Sequence, residues 1–252
     1  MLGYPKVRSG FDHVIDQWIS SFRRAVLSSG LGLGSELIPL FVSPMSAPLY
    51  AILLDGGFLT KKLYSKHGRH ATADDVVGEC TRLQSLPFVS QYELLRIYYY
   101  DAPPSSEAVN KPISKKRINL ATTERYRRSQ SLYDQLVLKP YFAVRMGETN
   151  LSANKWTIKS QSANELIDNP RALTDDDFGL NITQKGVDMR IGLDMARLAL
   201  RETVRAVIVV TGDSDFVPAF KFIRREGVKV IFDPMGHNVR PELRAHADIV
   251  VS

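Results

Sequence analysis

From residue 49 onward, short unbroken apolar runs alternate with segments of helical period. That alternation narrows the fold more than any other property of the chain. The runs are 49–54 (LYAILL), 94–100 (LLRIYYY), 140–146 (PYFAVRM), 206–211 (AVIVVT), 228–232 (VKVIF) and 248–251 (DIVV). Continuous apolar strands are covered on both faces. Helix candidates fall at 58–68, 72–85, 114–138, 187–202, 215–226 and 238–246, and Gly227 reads as a helix-terminating glycine. Strands alternating with helices close by right-handed crossovers, which predicts an α/β fold around a parallel sheet.

Two stretches break the rhythm. In residues 1–48, Phe11, Val14, Ile15, Trp18, Ile19, Phe22, Val26 and Leu27 recur at helical spacing, predicting an amphipathic helix over about 10–28. Such a helix either packs on the flank of the main domain or offers a homodimer or partner surface. The expected division is a helical extension over 1–48 and a main domain over 49–252. Residues 147–184 are polar, an insertion or long loop with one short strand near Lys155–Ile158.

Composition excludes some classes. The single cysteine, Cys80, rules out an intramolecular disulfide framework, and no cysteine cluster exists to hold zinc. The apolar stretch from Leu31 to Leu54 is interrupted by Glu36, Pro39, Pro44 and Pro48, a poor membrane span. No secretory signal is evident, and a cytoplasmic location is expected. The net charge of +6 suits a polyanionic partner, with nucleic acid the leading candidate, or simply favours solubility.

Four aspartates carry the chemical signal. Asp55 closes AILLDGG, Asp188 sits in QKGVDMR, and Asp213 and Asp215 sit in VIVVTGDSDF. In a parallel sheet the carboxyl ends of strands converge on the ligand-binding crevice. Carboxylates gathered there repel one another unless protons or a hard cation compensate. Helix phase separates Asp188 from nearby Asp194. Arg190, Asp194, Arg197 and Arg201 share an arc of about 60° and read as a solvated, ion-paired face. Asp188 falls with Gly192, Met195 and Ala199 on the apolar face, where an unpartnered carboxylate is costly. Gly212 suits a sharp turn. Asp215 either caps the following helix or joins the site, with Ser214 competing for the cap.

The motifs LLDGGFL, QKGVDMRIGLDMA and VIVVTGDSDFVPAFKFIRREGVKV together resemble the NYN domain, including its LabA-like members, within the PIN-like nuclease superfamily. The resemblance spans about residues 50–251. It implies a three-layer α/β/α PIN-like (Rossmann-like) fold, an acidic pocket for Mg²⁺ or Mn²⁺, and hydrolysis of RNA phosphodiesters, with Asp55, Asp188, Asp213 and Asp215 as the acids. Members often carry asparagine three residues after the first aspartate, where this chain has Phe58. Thr211 and Ser214 are candidates for supporting or phosphate contacts. Lys115, Lys116, Arg117, Arg125, Arg127 and Arg128, with Tyr126, and Lys185 of the KGVD motif form a candidate RNA track. For the 111–128 segment the alternative is a solvated helix face.

Two other readings were weighed. A haloacid-dehalogenase-like phosphatase needs a second aspartate two residues after the first, and Gly57 stands there. A LabA-like regulatory module would bind RNA or protein with little or no cleavage. Retention of all four acids favours the nuclease.

Overall fold

The structure of the protein is a computed structural model and describes residues 47–251. The helix expected over 10–28, and any dimer or partner surface on it, lies outside those residues.

Strand β1 (Leu49–Asp55) lies inside the sheet, and Ala51, Ile52, Leu53 and Leu54 are fully buried. Burial on both faces is what a run without polar alternation requires. It pairs in parallel with β2 (Glu93–Asp101) on one side and β8 (Ala206–Val210) on the other. Beyond β2 lies β5 (Phe142–Met146); beyond β8 lie β9 (Lys229–Asp233) and β10 (Ile249–Val250). The order β10-β9-β8-β1-β2-β5 is parallel throughout, and its strands are the six expected from sequence.

Helices α1 (Gly56–His67), α2 (Ala73–Gln84) and α3 (Glu124–Val137) cover one face. Leu59, Leu63, Val76, Cys80, Leu83, Leu132 and Leu136 pack there on Ile52, Leu54 and Ile208. The other face is covered by α5 (Val187–Leu200), α6 (Val217–Arg225) and α7 (Pro241–Ala245). Their residues Ile191, Met195, Leu198, Phe220, Ile223 and Leu243 meet Ala51, Leu53, Val207 and Val209. The period-2 alternation of β1 side chains feeds both cores, giving three layers. Gly227, with φ of 80°, follows α6 as expected.

Two segments differ from expectation. The helix expected over 114–138 starts only at Glu124, where the Thr123 hydroxyl accepts the Tyr126 N–H at 3.3 Å. Before it stands a small antiparallel hairpin, β3 (Ala108–Asn110) and β4 (Arg117–Asn119), with Lys115 at positive φ in its turn. Residues 147–184 are not a long loop. Strand β6 (Glu148–Ile158) pairs antiparallel with β7 (Phe178–Lys185), and α4 (Ser160–Asp168) lies between them. Neither strand buries a residue fully, so the apolar alternation that signals a strand is muted. The hairpins dock together: Trp156 donates its indole N–H to the Asn110 carbonyl at 2.8 Å.

Candidate active site

The chain runs from β1 outward to β2 and β5, then returns to β8 and runs outward the other way. The order therefore reverses between β1 and β8, and the crevice above their carboxyl ends is where such sheets bind ligands. Asp55 ends β1 there and also caps α1. Its Oδ1 accepts the Phe58 N–H at 3.1 Å, and its Oδ2 accepts the Thr211 hydroxyl at 3.1 Å. The same hydroxyl accepts the Asp213 N–H at 3.2 Å. One buried hydroxyl thus ties the end of β1 to the turn after β8. Thr211 is fully buried, so of the two roles considered for it the supporting one fits: it positions Asp55 and Asp213.

Asp213 caps the short 3-10 turn Ser214–Phe216, its Oδ1 accepting the Asp215 N–H at 2.9 Å. The capping role considered for Asp215 is filled by no side chain: helix Val217–Arg225 begins without a side-chain cap. Asp215 is exposed and its carboxylate has no hydrogen-bond partner among the described residues; Ser214 beside it is half-buried. Gly212 is required for closeness rather than for a left-handed turn. A Cβ there would lie 2.5 Å from the Phe58 ring and 3.0 Å from the His237 ring. Phe58, standing where asparagine is common, therefore roofs the turn, its ring centroid 5.8 Å from that of His237.

Asp188 lies in the first turn of α5. The fully packed stripe of that helix begins one turn later at Ile191, and Asp188 extends it past the core as an exposed residue. Its carboxyl is nonetheless partly desolvated, which pushes its pKa above the ordinary carboxylate value, and the charges of Asp213 and Asp215 push further. Burial likewise raises Asp55, against the lowering effect of the Phe58 and Thr211 hydrogen bonds, and the charge of Asp188 adds to the rise. The charge of Asp188 thus acts on Asp55, and those of Asp213 and Asp215 act on Asp188. None pairs with a lysine or arginine among the described residues.

This donor set has the chemistry of a hard divalent cation site: oxygen ligands only, with uncompensated like charge. As placed, no three His, Cys, Asp or Glu side chains among the described residues stand close enough to hold an ion together.

Two acids behave differently from the sequence expectation. Asp194 does not sit on a solvated face paired with its helix neighbours. It is half-buried, accepts the Tyr100 hydroxyl at 3.0 Å and pairs with Arg145 of β5 at 3.3 Å, so it fastens α5 to the sheet. Asp101, which the sequence reading passed over, ends β2 one strand from Asp55. It is buried, and its carboxylate accepts the Ala102 N–H at 2.7 Å, the Tyr133 hydroxyl at 3.1 Å and the Tyr99 hydroxyl at 3.3 Å. Burial raises its pKa against those bonds. The signal was available: RIYYYD ends a strand with an acid, as AILLD does.

The expected cationic track divides. A cleft of about 700 Å³ runs between α1 and α3, with Asp101 in its wall and Thr149, Ile182 and Gln184 of the β6–β7 hairpin along one side. Arg125 and Arg128 line it; Lys115, Lys116, Arg117, Arg127 and Lys185 do not. The first three stand on the β3–β4 hairpin and its turn, where the Lys115 ammonium donates to the Pro112 carbonyl at 2.6 Å. Arg127 donates to the Thr122 carbonyl at 3.0 Å. Lys185 ends β7, exposed, opposite Glu148.

A parallel α/β/α sheet with unpaired carboxylates at its reversal crevice defines a PIN-like, nuclease-type architecture. The family model for the NYN domain matches residues 61–252, and the chain belongs to that family, whose members are generally nucleases. Asp55 lies just before the matched span. A solved structure, a protein of unknown function from Vibrio parahaemolyticus, is similar at 16% identity and a TM-score of 0.45 over 82% of this chain and 93% of the other. No curated protein matches the chain. No helix among the described residues is long and apolar enough to cross a membrane.

Proposed function

We propose that this NYN domain is a metal-dependent ribonuclease that hydrolyses RNA phosphodiesters at Asp55, Asp188, Asp213 and Asp215. The observation that supports this reading is the set of four aspartates without a cation partner at the β1–β8 crevice, with the Thr211 hydroxyl joining the Asp55 carboxylate to the Asp213 backbone and the charge of Asp188 coupled to Asp213 and Asp215. Asp55, Asp188 and Asp213 would hold Mg²⁺ or Mn²⁺ directly or through water, with Asp215 as fourth member, and the bound ion would offset phosphoryl charge and acidify a water. The chain's own groups supply the rest. Thr211 donates to Asp55 Oδ2 and so favours its ionised form. Asp213 is held by its capping bond, while the unengaged carboxylate of Asp215 is placed to accept a proton from water. Arg125 and Arg128 supply cations for the RNA backbone.

The test is cleavage of single-stranded RNA by the full chain with Mn²⁺. Asp213→Asn, which keeps the capping geometry, abolishes cleavage. Asp194→Asn, remote in role, retains it. A protein that binds RNA but cuts none in Mn²⁺ or Mg²⁺ is a binding module, and the ribonuclease reading falls.

A further inference from the structure

Beside the acids, the cleft between α1 and α3 carries aromatic side chains that the hydrolytic site does not use. Tyr64 on the outer face of α1 is 49% exposed and lines the cleft with His70; their ring centroids are 5.3 Å apart at an interplanar angle of 52°. Neither ring is packed into a core. Lys61, Arg125 and Arg128 line the same cleft. Arg128 is paired with Glu124, whereas Arg125 has no ion pair among the described residues. The cleft wall also adjoins Asp55. Gly57 forms part of its wall, and a Cβ there would stand 3.6 Å from Asp55 Oδ1. Its volume of about 700 Å³ falls within the range of small-ligand pockets.

Exposed aromatic rings beside cations are the two elements by which proteins hold unpaired nucleotides: a stacking face for the base and charge for the phosphates. A base inside a duplex already stacks on its neighbours and cannot reach such a face. Resting on the ribonuclease reading, we propose that this cleft is a nucleotide subsite for single-stranded RNA. Tyr64 and His70 stack an unpaired base, Arg125, Arg128 and Lys61 hold its flanking phosphates, and the strand passes over Gly57 to the acids. The cleft thereby selects single strands over duplexes.

The test is binding of a labelled oligouridylate to the full chain in EDTA, read by fluorescence anisotropy across a salt series. The Tyr64→Ala/His70→Ala variant, altered at exposed positions, binds about tenfold more weakly with an unchanged salt slope. Arg125→Gln/Arg128→Gln flattens the slope of log affinity against log salt by about 0.7 per cation removed. Lys221→Gln/Arg225→Gln removes the same charge at the amino ends of the strands and changes neither. A matched RNA duplex binds more weakly and does not respond to the aromatic variant. Wild-type affinity in the aromatic variant, or an equal loss of slope in the control pair, overturns the proposal. So does uridine monophosphate competing as well as the strand, which would make the cleft a site for a free nucleotide. No cleavage occurs in EDTA, so loss of the ribonuclease reading through Asp213→Asn leaves this result standing, and the converse also holds.

Discussion

The aspartates of this domain fall into two regions with opposite electrostatics. Away from the crevice Asp75, Asp177 and Asp233 each meet an arginine. The Arg69 fork holds Asp75 well below the usual carboxylate range, and Arg171 does the same for Asp177. Asp233, buried at the end of β9, is bonded to Arg82 and accepts the Met235 N–H at 2.7 Å. In the β1–β8 crevice no lysine or arginine among the described residues pairs with the acids, and Asp55 and Asp188 are pushed above the ordinary range. The residue type is the same. A paired aspartate fastens elements together, while one left among like charges is a stored electrostatic demand that only a ligand or proton meets.

That contrast can be broken at either side. The largest expected effect is on turnover: Asp55→Asn lowers RNA cleavage by about a hundredfold or more, measured under single-turnover conditions, with the fold intact. Full activity would place Asp55 with the fasteners. Next comes stability. Asp233→Ala leaves the Arg82 head and the Met235 N–H without their acceptor and lowers unfolding free energy by about 2 kcal/mol in urea titration, with cleavage per folded molecule unchanged. Thr211→Val lies between the regions. It removes the hydroxyl shared by Asp55 and Asp213, lowering stability by about 1 kcal/mol. A hydrogen bond to the charged form holds a carboxyl pKa down, so its loss raises that of Asp55. The acid limb of the pH–rate profile then moves to higher pH; an unmoved limb removes Thr211 from the site.

The smallest effect is on Asp188. Its folded pKa is raised, so its ionised form penalises the fold at neutral pH, and the penalty disappears as pH falls through the raised value toward the ordinary one. Asp188→Asn therefore stabilises the protein at pH 7, by on the order of 0.5 kcal/mol after solvent screening. The gain vanishes in mild acid. Destabilisation at pH 7, read by thermal unfolding, would show that Asp188 has a structural partner after all.

The sheet was legible because its strands are buried on both faces and leave unbroken apolar runs. The β6–β7 hairpin was not, since strands wetted on both sides carry no such run. The start of α3 had a local signature, Thr122-Thr123-Glu124, that the lysine-rich run before it obscured. At the site, helix phase put Asp188 on the apolar face and Asp194 on a solvated one, whereas Asp188 is exposed and Asp194 is half-buried. Its partners Tyr100 and Arg145 lie on β2 and β5, far off in sequence. The division of labour between Asp213 and Asp215 also escaped, since capping depends on one dihedral at the turn. Asp101 was readable by the same strand-end rule that selected Asp55.

The position of β1, hydrogen-bonded on both edges, bears on how the molecule breathes. Amides of an inner strand exchange with solvent only through near-global opening, whereas a hairpin without a fully buried residue opens locally at much lower free energy. Hydrogen exchange should therefore show β1 among the slowest segments and β6–β7 among the fastest. Asp55 then stays fixed through most native-state excursions, while the hairpin along the neighbouring cleft opens and re-forms.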